Sequence, residues 1–117
     1  MSEPNPSESL FIIWSSGDPE VARNLAFMYA HNSLLQGWWK RVRLIIWGPS
    51  ARLSCEDPEI AERIKAMIRD GVEVWACLAC ADNYGLAEEL KALGADVLYV
   101  GGPVTDMLKK GWKQLTF

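Results

Sequence analysis

Four short apolar runs recur along the chain, over residues 10–15, 42–47, 72–77 and 96–100. Each spans five or six residues and is rich in Val, Ile, Trp or Tyr. In Phe11-Ile12-Ile13-Trp14 and Leu44-Ile45-Ile46-Trp47 both alternating sets of positions are apolar, which is the pattern of a strand buried on both faces. These runs predict interior strands of a parallel sheet, and such a sheet needs helices on both faces.

The segments between the runs carry helix signals. Asp18-Pro19-Glu20 and Asp57-Pro58-Glu59 each set an N-cap acid before a Pro at the first helical position, followed by a carboxylate that favours the helix N-terminus. The first predicts a helix over 19–36 whose inward stripe is Val21, Leu25, Met28 and Tyr29. The second predicts a helix from Pro58 that stops at Gly71, with Ile60, Ile64, Met67 and Ile68 on one face. A third helix is expected over 82–93, with Leu86, Leu90 and Leu93 inward and Gly94 as its stop. A shorter fourth begins near Pro103 and ends at Gly111, leaving 113–117 as a possible edge strand.

The alternation βαβαβαβα with a fifth strand implies the α/β class, specifically a three-layer α/β/α sandwich on a mainly parallel sheet of four to five strands, joined by right-handed crossovers. In such sheets ligands sit beyond the carboxyl ends of the strands, near a topological switch point. That rim would be built from loops 15–17, 48–50, 77–83 and 101–103.

Composition narrows the function classes. The chain of 117 residues suits one domain, read as a flexible N-terminal tail over 1–9 and a single domain over 10–117. Twelve Lys and Arg stand against 15 Asp and Glu, so no broad basic footprint points to nucleic acid or anionic lipid. The first nine residues lack the charged and apolar regions of a secretory signal, and no apolar stretch approaches a bilayer span. The expected setting is the cytoplasm, where the three Cys remain free thiols.

The richest segment is Val72-Glu73-Val74-Trp75-Ala76-Cys77-Leu78-Ala79-Cys80-Ala81-Asp82. Cys77 ends a predicted buried strand shortly before a helix, a position where its sulfur can face the rim and helix amides favour the thiolate. Core packing is the other reading of a strand-end Cys, which behaves as a small hydrophobe when buried. Cys80 completes a Cys-x-x-Cys spacing and is a candidate resolving thiol.

Taken together, Gly71-Val72-Glu73-Val74-Trp75-Ala76-Cys77-x-x-Cys80-x-x-x-x-Gly85, Leu90-Lys91-Ala92-Leu93-Gly94-Ala95-Asp96-Val97 and Gly111-Trp112-Lys113 resemble the DsrE family of small sulfur-handling proteins. The resemblance implies the same three-layer fold and a sulfurtransferase-like sulfur relay. Cys77 matches the persulfide-carrying Cys, and Cys80 a second Cys found in many members. It further implies donor and acceptor proteins as partners, a homo-oligomer (trimer or hexamer), and no metal or organic cofactor. Family sulfurtransferases often carry a basic residue just before the Gly, where this chain has Tyr84. Two other classes stand beside the relay: a non-catalytic assembly or small-ligand module of the same fold, and a thiol oxidoreductase using Cys77 and Cys80.

The remaining candidates read as structural. Cys55 is expected to be a partly buried loop thiol, and His31 a surface or capping residue late in the first helix. Gly101-Gly102-Pro103 lacks both the dinucleotide fingerprint and a phosphate-loop Lys, so its glycines serve a turn. Trp38-Trp39-Lys40-Arg41-Val42-Arg43 mixes aromatic and basic groups but lies between a helix end and a strand start. A zinc site would have to recruit Cys55 and His31 to reach four ligands. Of the six Trp, Trp14, Trp47 and Trp75 are expected to wall the thiol pocket, and Trp38, Trp39 and Trp112 to form subunit contacts.

Overall fold

A computed structural model describes residues 5–117. Among the described residues five parallel strands run β1 (Ser9–Trp14), β2 (Arg41–Ile46), β3 (Glu73–Cys77), β4 (Asp96–Leu98) and β5 (Lys113–Thr116), in spatial order β4-β3-β2-β1-β5. The helices are α1 (19–35), α2 (Ser50–Glu56), α3 (Pro58–Arg69), α4 (Leu78–Tyr84), α5 (Ala87–Ala92) and α6 (Gly101–Lys110). This is the three-layer α/β/α arrangement, with all strand pairs parallel. Of the expected tail, residues 1–4 lie outside the described residues; Pro6–Glu8 forms a single 3-10 turn, and Ser9 already belongs to β1.

The strand order decides how the layers are filled. From β1 to β4 each strand is added on the same side of its predecessor, and right-handed crossovers then put every connecting helix on one face. The step from β4 to β5 runs back across the sheet, so its helix, α6, lies on the other. Burial follows that rule. Leu10, Ile12 and Trp14 of β1, Val42, Leu44 and Ile46 of β2, and Val74 and Ala76 of β3 pack with buried residues of α1 to α5. Phe11, Ile45 and Cys77, one position out of phase, pack instead with Val100 and with Val104 and Met107 of α6.

Both Asp-Pro-Glu starts behave as read. Asp18 accepts from the Glu20 N–H at 2.9 Å, and Asp57 accepts from the Glu59 and Ile60 N–H groups at 3.0 and 3.3 Å. In α3 the stripe holds, with Ile60, Ile64 and Met67 fully buried. In α1 it does not: Ala22, Ala26, Phe27, Ala30 and Ser33 face the sheet, while Leu25 and Met28 are about half exposed, at 49% and 48%. The small Ala residues let the helix approach the sheet closely, and the Phe27 ring meets Trp14 edge-on at 4.8 Å. A π-helical segment, Ala22–Ala26, lies within this helix.

Two further elements differ from expectation. The segment after Pro49 is helical, and Ser50 anchors it by donating from Oγ to the Trp14 carbonyl at 2.5 Å. The helix expected over 82–93 is two helices, α4 and α5, separated at Gly85, whose φ of 68° ends α4 in the left-handed region.

Candidate functional site

β3 is an interior strand between β2 and β4, and its alternation sets Glu73, Trp75 and Cys77 on the α6 side of the sheet. Cys77 is the last residue of that strand and also the N-cap of α4, with φ −67° and ψ 119°. The helix therefore starts at Leu78, immediately after the thiol, and Cys80 is already its third residue. Cys77 and Cys80 thus stand three positions apart across the first turn, and their side chains share one cluster on the α6 face of the sheet. Cys77 is buried at 6% exposure, lined by Phe11, Ile45, Val100 and Val104. Cys80 is half-buried. The sequence had Cys77 free to face the rim; in the fold it is buried and Cys80 is the more exposed of the two thiols.

Burial pushes the Cys80 thiol above the ordinary cysteine range, and the neighbouring Cys77 side chain pushes the same way; the Gly48 backbone pulls back against both. Cys80 thus holds its proton near neutrality and has an S–H to offer its neighbour. The Gly48 amide is in place because Gly48 adopts φ 91° after β2, where the Trp47 N–H and the Ser50 N–H donate to the carbonyls of Trp14 and Ser15. The Gly48 loop, tied to the end of β1, thus lies beside Cys80.

One turn beyond Cys80, on the same side of α4, comes Tyr84. The Arg52 guanidinium of α2 lies 5.8 Å from its ring centroid. A cation thus reaches the position where family sulfurtransferases often place a basic residue, but it comes from another helix. Sequence reading missed Arg52 because α2 has no apolar stripe long enough to reveal it and the contact spans more than thirty residues.

At the opposite end of the same sheet face Arg43 is 7% exposed. It donates to Glu73 from Nε at 2.8 Å and pairs with it through Nη2 at 2.6 Å. Its guanidinium lies 3.9 Å from the Trp75 ring and 4.9 Å from Trp112, and Arg41 adds a second pair to Glu73 at 3.0 Å. This stack holds Trp75, which packs in the same cluster as Cys77. Arg41 and Arg43 of the Trp-rich segment are therefore engaged with Glu73 and the indoles.

The Trp expectations divide accordingly. Trp47 and Trp75 share the Cys77 cluster, as read, but Trp14 points to the other face because it is odd by one position from Ile13. Trp112 packs inward against Phe11 at 6.2 Å and beneath the two arginines, and Trp39 donates from Nε1 to the Tyr29 hydroxyl at 3.1 Å. Trp38 stays exposed, at 61%.

Cys55 is not a loop thiol but a residue of α2, half-buried against the core on the far face of the sheet from Cys77. His31 does not cap α1; its Nε2 lies 2.7 Å from Asp70 Oδ2, tying α1 to the end of α3. Gly101 and Gly102 do not form a turn but the first residues of α6. Among the described residues no group of three or more His, Cys, Asp or Glu is arranged to hold a metal ion, and no helix is long and apolar enough to cross a membrane.

No curated protein matches the chain by sequence. Among solved structures it is similar to a conserved protein of unknown function from Bacteroides thetaiotaomicron, 34% identical over 99% of this chain and 100% of that one, with a TM-score of 0.93. It also shares its fold with a protein of unknown function from Methanobacterium thermoautotrophicum, 19% identical over 93% of this chain and 97% of the other, with a TM-score of 0.72. The model of the DsrE/DsrF-like family matches residues 9–117. The parallel sheet with its strand-end thiol and this match over nearly the whole chain lead to one conclusion: the protein belongs to the DsrE/DsrF-like family.

Proposed function

We propose that this protein is a cytoplasmic sulfur-relay protein in which Cys77 carries sulfane sulfur as a persulfide between partner proteins. The observation that carries the reading is the position of Cys77: the end of an interior strand, under a rim of loops, with Cys80 beside it. A persulfide is labile toward any thiol that reaches it. Phe11, Ile45, Val100 and Val104 pack in the same cluster as Cys77 and shield such a sulfur from bulk water, while Cys80 and the Gly48 loop form the side from which a sulfur donor or acceptor has access.

The transfer follows ordinary thiol exchange. The Cys77 thiolate attacks the terminal sulfur of a donor persulfide, the donor's S–S bond breaks, and the donor leaves as a thiolate. An acceptor thiolate then takes the terminal sulfur of Cys77-S-SH in the same way. The S–H of Cys80 is placed to donate to charge on Cys77 as it develops. Arg52 and Tyr84, on the same rim, are groups a partner would meet on approach.

The test is direct. Wild-type protein incubated with a low-molecular-weight persulfide and desalted gains one sulfur by intact mass, and Cys77→Ser gains none. Failure of both wild type and Cys80→Ser to gain the sulfur or release hydrosulfide, or a Cys77→Ser variant that loads equally, removes the relay and leaves the non-catalytic module or the thiol oxidoreductase.

A further inference from the structure

A relay needs one thiol, and the fold brings two together. We propose that Cys80 is a resolving thiol that discharges the Cys77 persulfide and releases its outer sulfur as hydrosulfide. The inference rests on the persulfide reading of Cys77 and adds a fate for the sulfur other than transfer to an acceptor.

The geometry supplies the attack. Cys77 is the N-cap and Cys80 the third residue of α4, so the two lie three positions apart across its first turn, and both side chains pack in one cluster on the α6 face of the sheet. Cys55 is no competitor, because it packs in the core on the other side of the sheet. The Gly48 backbone lies beside Cys80 and favours negative charge on its sulfur as the S–H proton departs. Cys80 is also the more exposed of the pair, half-buried where Cys77 is buried. A reductant therefore meets its sulfur first.

The step balances without an added oxidant. The Cys80 sulfur attacks the Cys77 sulfur, a new S–S bond joins the two cysteines, and the bond from Cys77 to the terminal sulfur breaks. That sulfur leaves as hydrosulfide and takes the proton from Cys80, giving Cys77-S-SH + Cys80-SH → Cys77-S-S-Cys80 + H2S. The terminal sulfur is reduced and the cysteine pair oxidised. Hydrosulfide is a better leaving group than an alkyl thiolate, because exchange rates rise as the leaving thiol becomes more acidic. Return to the dithiol requires an external dithiol reductant, such as a thioredoxin-like protein or dithiothreitol.

The experiment uses Cys80→Ser and Cys80→Ala beside wild type, each loaded with a low-molecular-weight persulfide, freed of it by rapid desalting, and followed by intact mass and by hydrosulfide trapping. Circular dichroism checks that both variants keep the wild-type fold. Both variants are expected to retain the added sulfur on Cys77 at least about tenfold longer than wild type, since the neighbouring nucleophile is gone. Wild type is expected to lose it, release one hydrosulfide per chain and end two hydrogens lighter, a loss that dithiothreitol reverses. If wild type holds its added sulfur as long as both variants, or if the variants release hydrosulfide at the wild-type rate, the resolving role is overturned while the relay stands. If neither wild type nor the variants load, both fall.

Discussion

Cys55 and Cys80 are both held above the ordinary thiol range, but by different neighbours. For Cys55 burial acts first and the carboxylates of Glu89 and Glu56 follow, so its thiolate is rare near neutrality and grows only as the pH rises past the ordinary cysteine range. Alkylation of Cys55 by iodoacetamide, followed by peptide mapping, should therefore run several-fold slower at neutral pH than that of a free small thiol, and Glu89→Gln should accelerate it. Labelling of Cys55 at the free-thiol rate, or no response to Glu89→Gln, would remove this account. The spacing Cys77-x-x-Cys80 was legible in the chain. The Glu89 carboxylate near Cys55, the Gly48 amide on Cys80 and the Arg52 guanidinium over Tyr84 were not. Each depends on a contact between elements distant in sequence, and no local pattern encodes such a contact.

At the scale of elements, two glycines beside the rim have opposite requirements. Gly85 ends α4 at φ 68°, with the Leu86 N–H donating back to the Ala81 carbonyl at 2.8 Å. An L side chain is strained there, so Gly85→Ala should lower stability by about 1 kcal/mol even though nothing lies within 4 Å of the new methyl group. Gly101 also faces open space but opens α6 without a positive φ. Gly101→Ala should therefore raise stability by about 0.5 kcal/mol, mainly by restricting the unfolded chain. Urea unfolding midpoints of the two variants test the pair, and a common sign would contradict the backbone assignment. Helix starts were legible because Asp-Pro-Glu is a local device acting over three residues. The break at Gly85 was missed because the stripe of Leu86, Leu90 and Leu93 lies wholly after it and marks no separate helix before it. The inward face of α1 was missed because size was taken for burial: the helix packs through Ala22, Ala26 and Ala30 and leaves Leu25 and Met28 outside.

At the scale of the whole molecule that outward flank becomes a surface. Leu25, Met28 and Trp38 with Leu115 and Phe117 line a cleft of about 290 Å³ between α1 and the edge strand β5. Exposed apolar patches of this kind mark contact surfaces on soluble proteins, and the cleft supports the homo-oligomer that the family resemblance implies. Light scattering on the eluting wild type should give a multiple of 13.1 kDa. Trp38→Ser combined with Leu25→Ser should shift it to lower mass with unchanged far-ultraviolet dichroism, because large apolar side chains dominate such contacts. A monomeric wild type at micromolar concentration would end this reading. The cleft lies at the β5 edge and the thiol pair at the end of β3, so the shift should leave persulfide loading intact.

By itself the sequence determined the fold class, the five strands, the two Asp-Pro-Glu helix starts and the Cys-x-x-Cys spacing, because period, capping and spacing act within a few residues. Tertiary structure decided which face each strand residue serves, that one helix covers the Cys77 side while five pack on the other, and that Cys77 is buried while Cys80 is partly exposed. The physical reason is the strand order: the reversal between β4 and β5 sends α6 alone across the sheet. No local signal announces that reversal.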